Sequence, residues 1–237
     1  MPTRATTLAA IAALAIATAT GCGWMSDENP QARPPALAPP APKVSAPWMP
    51  PSVTRFASLI ATAAQRHHVD ANLVAIVMLV ESGGDPYAEG NHGEKGLMQL
   101  SPALAADIAA RRGILGHNPL RLIEPSYNVD LAAWHLAELH REFRTNDPVH
   151  SVGRTAAAYA GGPALVARGG VLPSPTRKYM QWVSSMWRQR FQPRSSAYDA
   201  WYRSGGKLLV DRATTSVVPP LLPPGPLMID GDDNARR

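Results

Sequence analysis

The stretch Ala71–Ser82 constrains the fold more than any other part of the chain. Its apolar residues are Leu73, Val74, Ile76, Val77, Leu79 and Val80. On a helix these side chains fall on nearly all sides, so the helix has to be buried all round rather than along one stripe. Asp70 can cap its start, and Gly83-Gly84 can end it. The sequence therefore predicts a buried central helix with other helices packed around it.

Further helical patterns surround this segment. They cover residues 54–67, from Ser101-Pro102 to Arg112-Gly113, 126–143, from Asp147-Pro148 to Gly161-Gly162, and 174–191. Apolar residues recur in these segments at helical spacing, and Ser or Asp stands before Pro at three of the starts. The polar, glycine-containing loop at 85–96 leaves room for at most a small β-hairpin. The fold class we predict is mostly α.

The prolines mark the ends of the folded unit. Nine of the 24 prolines lie in residues 29–52 and five in 219–226, whereas 53–205 holds only nine. Proline-rich segments favour extended, poorly packed chain. We therefore expect one domain at 53–205, a linker at 22–52 and a disordered tail at 206–237.

The N-terminus has the pattern of an export signal. Residues 1–21 carry one charge, Arg4, followed by an apolar run at 8–20 that is too short to span a bilayer. The run ends Ala19-Thr20-Gly21-Cys22, which is similar to a bacterial lipobox, although Ala19 stands where leucine is usual. Ordinary signal cleavage before Cys22 is the alternative. The sequence predicts an exported protein of the cell envelope or periplasm, anchored to a membrane through lipid on Cys22.

Several classes of chemistry are excluded or disfavoured. A single cysteine permits neither an intramolecular disulfide nor a four-cysteine zinc site. The chain has no glycine-rich phosphate loop. His135 and His140 are five residues apart, off the spacing that puts two ligands on one helix face. We expect no metal and no cofactor.

The charge is unevenly distributed along the chain. Residues 154–203 hold eight basic residues and one acid, Asp199. A cationic surface of this kind attracts anionic partners such as polymers that carry carboxylates, or lipid headgroups. No nucleic acid partner is expected for an exported protein.

Glu81 is the residue that does not fit its surroundings. It lies at the C-terminal end of the most apolar helix, where burial and the helix dipole both disfavour a negative charge. Both effects raise the pKa of its carboxyl, which suits a group that donates a proton to a leaving oxygen. The residues around Glu81 are equally consistent with a side chain that simply faces solvent at the end of a helix.

The surrounding motifs resemble those of the soluble-lytic-transglycosylase (SLT) catalytic domain, a lysozyme-like family. Glu81-Ser82 ends a buried helix, and Gly96-Leu97-Met98-Gln99 begins fifteen residues after Glu81. Further matches are Asn128 ahead of a helix, the run Ala158-Tyr159-Ala160-Gly161-Gly162, and Thr176 with Tyr179. Two positions depart from the family: Ala160 replaces an asparagine thought to contact substrate, and Pro175 replaces a glutamate.

This resemblance implies a peptidoglycan lytic transglycosylase. Glu81 would protonate the oxygen between N-acetylmuramic acid and N-acetylglucosamine, then act as base on the muramoyl 6-hydroxyl, leaving a 1,6-anhydromuramoyl end. The backbone at Gly96 should approach Glu81, Met98 and Gln99 should line the sugar groove, and Tyr159 should hydrogen-bond Glu81. Ser82 would contact a sugar or cap the helix end.

Other functions are also compatible with the sequence. A hydrolase (muramidase) of the same fold would use water and a second carboxylate, for which Asp85, Glu89 and Glu94 are the candidates; these residues are otherwise solvated loop charges. A non-catalytic peptidoglycan-binding lipoprotein is favoured only by Ala160. An enzyme dedicated to an envelope assembly machinery is a further possibility on which the sequence is silent.

Overall fold

The fold is built around a central helix, as the apolar pattern predicts. The computed structural model describes residues 43–206. Within that range the helices are α1 (Pro51–Thr54), α2 (Ala57–His67), α3 (Ala71–Ser82), α4 (Pro102–Arg111), α5 (Pro125–Phe143), α6 (Pro148–Gly161), α7 (Pro163–Ala167), α8 (Ser174–Arg188) and α9 (Ser196–Trp201). Every residue of α3 except Glu81 is buried. Helices α2 and α8 pack directly against it, and α5 and α6 complete the layer around them.

Local signals set the helix ends. The Asp70 carboxylate accepts a hydrogen bond from the Leu73 amide at 2.8 Å, and Gly83 ends α3 with a φ of 64°. Ser101 caps α4 by accepting from the Leu104 amide at 3.2 Å. These ends agree with the sequence prediction because caps depend on a few neighbouring residues.

Other details differ from the prediction. The helix expected at 54–67 is two helices, α1 and α2, separated by a turn at Arg55 and Phe56. The turn lets the Arg55 guanidinium donate to the Gly84 carbonyl oxygen at 2.7 Å. Helices α7 and α9 and the 3-10 helix Pro119–Ile123 are new; each is too short to show a helical period.

The loop at residues 83–101, between α3 and α4, contains no strand. It holds two single antiparallel bridges, one between Glu89 and Lys95 and one between Lys95 and Leu100. The expected upper limit of one small hairpin is therefore not exceeded, and the mostly α fold class is confirmed.

The core includes residues on the N-terminal side of Val53, within the segment that was predicted to be a linker. Ala46 and Met49 are buried in the main core, and the Ser45 amide donates to Asn72 Oδ1 at 2.7 Å. Trp48 packs on Tyr198 with ring centroids 5.6 Å apart and donates from Nε1 to the Gln189 carbonyl at 3.1 Å. The proline content indicated a linker here, but the apolar residues between the prolines pack into the core.

We call residues 43–50 the N-terminal strap. The remaining predictions about the chain ends lie outside the described residues: the signal peptide at 1–21, Cys22, the rest of the linker and the tail beyond Gly206. In residues 43–206, no helix is both long and apolar enough to cross a membrane.

The strap can be tested with Met49→Ala. Met49 is 5% exposed, and removal of a buried methionine side chain should lower the free energy of unfolding by about 2–4 kcal/mol. Val171→Ala is the matched control, because Val171 is 90% exposed and should change stability by less than about 0.5 kcal/mol. Thermal and urea unfolding provide the measurement. Equal stabilities for the two variants would contradict the packing of the strap.

Candidate active site

Glu81 is held half-buried at the end of α3 by a tyrosine from α8. The Tyr179 hydroxyl donates to Glu81 Oε1 at 2.6 Å. Burial raises the pKa of Glu81 from 4.5 to about 7, the Tyr179 hydrogen bond lowers it, and the charge of Glu94 raises it further. The carboxyl is therefore about half protonated near neutral pH, the state a group needs in order to give up a proton and take it back.

The tyrosine that contacts Glu81 is not the one the sequence indicated. Tyr159 donates its hydroxyl hydrogen to the Met98 carbonyl oxygen at 2.7 Å, so the expected Tyr159–Glu81 hydrogen bond is replaced by the one from Tyr179. Burial and the nearby Glu81 raise the pKa of both phenols well above 10. Both therefore stay neutral hydrogen-bond donors. The Thr176–Tyr179 motif is the sequence feature that could have indicated a role for Tyr179.

The Gly96–Gln99 turn is fixed from outside by Asn128. The Asn128 side chain accepts from the Met98 amide at 2.8 Å and donates to the carbonyls of Lys95 and Leu122, each at 2.9 Å. Asn128 is fully buried. One amide side chain thus ties the turn to the start of α5, since it satisfies three backbone groups at once.

Gly96 is required by this clasp. Its φ is 78°, and a Cβ there would lie 2.2 Å from the Leu122 carbonyl oxygen and 2.7 Å from Asn128 Nδ2. Only glycine fits both the backbone conformation and the space. The close approach of the Gly96 backbone to Glu81 stays a prediction.

Two of the expected sugar-contacting side chains are buried. Met98 has no exposed surface and belongs to the core. Ser82 is 1% exposed, and its hydroxyl donates to the Leu97 carbonyl at 2.7 Å and accepts from the Gly84 amide at 3.1 Å. Side chains enclosed in this way cannot touch a sugar, so both residues help to hold the Gly96–Gln99 turn.

Gln99 and Ala160 keep exposed surface. Gln99 has a φ of 47°, a strained conformation for a residue other than glycine, and its Nε2 donates to the carbonyls of Ala88 and Gly96, each at 3.0 Å. Ala160 is exposed in the last turn of α6, next to Tyr159. Gln99 therefore stiffens the loop, and Ala160 leaves a short side chain where an asparagine would project.

The three loop carboxylates have different surroundings. Asp85 accepts from the Tyr87 amide at 2.9 Å, and Glu89 pairs with Lys95 at 2.6 Å. Glu94 accepts from the His92 amide at 3.0 Å, and backbone hydrogen bonds at Glu94 and His92 lower the pKa of its carboxyl. Of the three, Glu94 is the one whose charge acts on Glu81.

No group of three metal-ligating side chains (His, Cys, Asp or Glu) stands close enough to hold a metal ion within residues 43–206. The site chemistry that these residues offer is proton transfer by Glu81, with tyrosine hydroxyls as neutral donors beside it.

The raised pKa of Glu81 predicts how stability depends on pH. Between pH 4.5 and about 7 the unfolded chain loses the Glu81 proton while the folded chain keeps it, so stability falls by about 2–3 kcal/mol as pH rises through this window. Glu81→Gln removes this loss. Urea unfolding should find this variant more stable than the parent by about 2 kcal/mol at pH 8 and close to it at pH 4.

Glu142→Gln, an exposed carboxylate on α5, is the control and should follow the parent at both pH values. A stability gap between Glu81→Gln and the parent that does not change with pH would contradict a raised pKa at Glu81.

Known proteins are similar to this chain over part of its length. Residues 58–171 match the family model of the transglycosylase SLT domain. A membrane-bound lytic murein transglycosylase E of Buchnera aphidicola is 33% identical over 87 residues, which cover 36% of this chain and 39% of that protein. A membrane-bound lytic murein transglycosylase C of Haemophilus ducreyi is 33% identical over 118 residues, which cover 48% of this chain and 32% of that protein. The chain thus spans less than half of the length of these relatives.

The fold has a solved counterpart. The X-ray structure of an inactive mutant of lytic transglycosylase Slt from Pseudomonas aeruginosa aligns with a TM-score of 0.50 at 22% identity, over 62% of this chain and 26% of that chain. At this identity the likeness concerns the fold alone. Residues 58–171 therefore match the transglycosylase SLT domain, and residues 43–206 have a helical fold of the SLT type.

Proposed function

We propose that this protein is a peptidoglycan lytic transglycosylase with Glu81 as its single general acid and base. The observation that carries the proposal is a half-buried carboxyl with a pKa of about 7, held by a neutral phenol at 2.6 Å. The names of the relatives, lytic murein transglycosylases, support the substrate. The inactive mutant of the Pseudomonas aeruginosa neighbour is a glutamate-to-glutamine exchange, which supports a glutamate as the acid.

The proposed reaction balances without water. Protonated Glu81 gives its proton to the oxygen between N-acetylmuramic acid and N-acetylglucosamine, and the bond from that oxygen to muramoyl C1 breaks with its electron pair. The Glu81 carboxylate then takes the proton of the muramoyl 6-hydroxyl as this oxygen bonds to C1. The products are a 1,6-anhydromuramoyl end and a free N-acetylglucosamine 4-hydroxyl, and Glu81 is again protonated.

Tyr179 adjusts the proton affinity of Glu81 so that it suits both proton transfers. Burial alone would make Glu81 too weak an acid, because its carboxylate would be poorly solvated. The Tyr179 hydroxyl stabilises the carboxylate formed after the first proton transfer. Tyr179 is partly buried and its phenol stays neutral, so it can serve throughout the cycle without ionising.

We further propose that Gln99 and Tyr159 line the sugar groove, since both keep part of their surface exposed. Gly96, Met98 and Ser82 act behind them by holding the turn. Ala160 leaves one side of the groove with fewer polar contacts than the family motif provides.

The same proposal includes a membrane anchor. Cys22 would carry the lipid, and the following proline-rich residues would hold the domain away from the bilayer in the cell envelope. Both curated relatives are named membrane-bound, which supports this. Cys22→Ser should move the protein from the membrane to the soluble fraction of a fractionated cell if the anchor is lipid on that residue.

A muramidase of the same fold is the second candidate. The observation in its favour is that the charge of the Glu94 carboxylate raises the pKa of Glu81. In that reaction Glu94 would activate a water, and the product would be a reducing end.

Product analysis tests the proposal. Mass spectrometry of peptidoglycan digested with the full chain should show muropeptides lighter by one water than hydrolytic products. Glu81→Gln should lower turnover at least about 1000-fold, because its amide cannot donate the proton, while sedimentation onto sacculi is retained. Glu89→Gln is the control and should keep activity within a few-fold. Full-mass reducing ends would favour the muramidase, and binding without products would favour the non-catalytic lipoprotein.

The pH dependence of the rate tests the role of Tyr179. Activity should fall as pH rises above about 7, because the proton-donating form of Glu81 is lost. Tyr179→Phe removes a hydrogen bond that lowers this pKa, so the falling limb should move to higher pH. Tyr159→Phe, whose hydroxyl contacts Met98 instead, should leave the limb in place. A limb that does not move in Tyr179→Phe would contradict this role.

A further inference from the structure

The N-terminal strap and α1 follow α3 from its first turn to its last. At the first turn, the Ser45 amide donates to Asn72 Oδ1 at 2.7 Å. At the far end, α1 packs on α3, and the Arg55 guanidinium donates to the Gly84 carbonyl oxygen at 2.7 Å. Since α3 has 12 residues and a helix rises 1.5 Å per residue, this path covers about 18 Å. It ends at the residues that directly follow Glu81.

Gly84 is the point at which this path meets the loop after α3. Gly84 is buried, its φ is 85°, and a Cβ there would lie 2.2 Å from the Ser52 carbonyl oxygen. The backbones of α1 and of the loop therefore touch directly, which only glycine allows. Arg55 adds its hydrogen bond to this contact, and its guanidinium carbon lies 4.8 Å from the centroid of the Phe56 ring. The two contacts together fix the direction of the Arg55 side chain.

Within residues 43–206, one hydrogen bond joins residues 83–87 to a distant part of the chain, and Arg55 donates it. The other hydrogen bonds of this segment stay between residues 79 and 88. Pro86 and Tyr87 border a cavity of about 550 Å³, and Tyr87 is 54% exposed, so packing leaves part of the segment uncovered. Arg55 is therefore the polar contact that holds the segment against α1.

The held segment supports Ser82, the neighbour of Glu81. The Gly84 amide donates to Ser82 Oγ at 3.1 Å. The Ser82 hydroxyl donates in turn to the Leu97 carbonyl oxygen at 2.7 Å. A displacement of Gly84 would therefore disturb both the end of α3 and the turn that contains Leu97.

We propose that Arg55 is a positioning residue for Glu81. The inference rests on the proposed function: by holding the backbone after Glu81, the Arg55 guanidinium fixes where the carboxyl stands relative to the bond that it protonates. A misplacement of about 1 Å can lower the rate of such a step about 100-fold. Arg55 is otherwise exposed, so its replacement removes little packing and the variant should fold.

Steady-state kinetics of the full chain on soluble glycan strands test this role. Arg55→Gln should lower kcat about tenfold, the factor that corresponds to one lost hydrogen bond from a charged donor, and leave KM nearly unchanged. Arg55→Lys keeps a cationic donor and should restore most of the lost rate. Arg168→Gln is the matched control, because Arg168 is also exposed and donates to a backbone carbonyl oxygen, that of Ala164. It should keep the kcat of the parent.

Amide hydrogen exchange tests the same contact without turnover. The amides of Asp85 and Ala88, which make only local hydrogen bonds, should exchange about tenfold faster in Arg55→Gln than in the parent, because the segment opens more often. Amides of residues 74–80 in α3 should exchange as in the parent, which shows that the variant is folded. Arg168→Gln should match the parent at all of these amides.

A parental kcat in Arg55→Gln, an Arg55→Lys variant as slow as Arg55→Gln, or unchanged exchange at Asp85 and Ala88 would overturn the proposal. A parent chain that releases no products contradicts the proposed function instead. Faster exchange in Arg55→Gln would then still assign the holding of residues 83–87 to Arg55, and unchanged exchange would remove that role as well.

Discussion

The burial of α3 on all sides is the constraint on which the rest of the structure depends. A helix with no polar stripe needs neighbours all round, and α2, α8 and their outer layer supply them. The one residue of α3 that escapes full burial is Glu81, at the point where the surrounding shell opens. The same packing that excludes water from the helix therefore raises the proton affinity of the carboxyl at its end. Stability and candidate chemistry share one cause.

The surrounding helices leave Glu81 partly uncovered at the end of α3. The loop after α3 therefore has to be held in place without regular secondary structure. Two single bridges and the clasp by Asn128 do this. The buried amide of Asn128 replaces the ladder that a hairpin would have supplied, and Gly96 makes the clasp possible by having no side chain. Met98 and Ser82, which at first sight belong to a binding surface, pack inward and give the loop its rigidity. A rigid loop next to a proton donor keeps the distances required for proton transfer.

The outer elements extend this core in two directions. The strap at residues 43–50 packs Trp48 onto Tyr198 and Met49 into the core, so the chain leaves the domain from a fixed point. On another face, α5 carries both the Asn128 clasp and a charged cavity around Glu138. One helix thus joins the support of the Glu81 loop to a second charged surface of the domain.

The sequence by itself determined the features that depend on neighbouring residues. The buried helix at 71–82, its Asp70 cap, its glycine end and the odd position of Glu81 all follow from residues within one or two turns. The Glu81-Ser82 and Gly96–Gln99 motifs also gave the family resemblance that the SLT match bears out. Composition was less reliable, because prolines indicated a linker where Ala46 and Met49 find a core.

Only the tertiary structure decided which side chains meet. Tyr159 and Tyr179 looked alike in sequence, and the crossing of α8 over the end of α3 selected Tyr179 as the partner of Glu81. Met98 could have faced the groove or the core, and its backbone is held by the Asn128 clasp while its side chain is buried in the core. These outcomes depend on contacts between residues 30 to 98 positions apart. Helical periodicity does not encode such contacts, because they arise from the packing of whole helices.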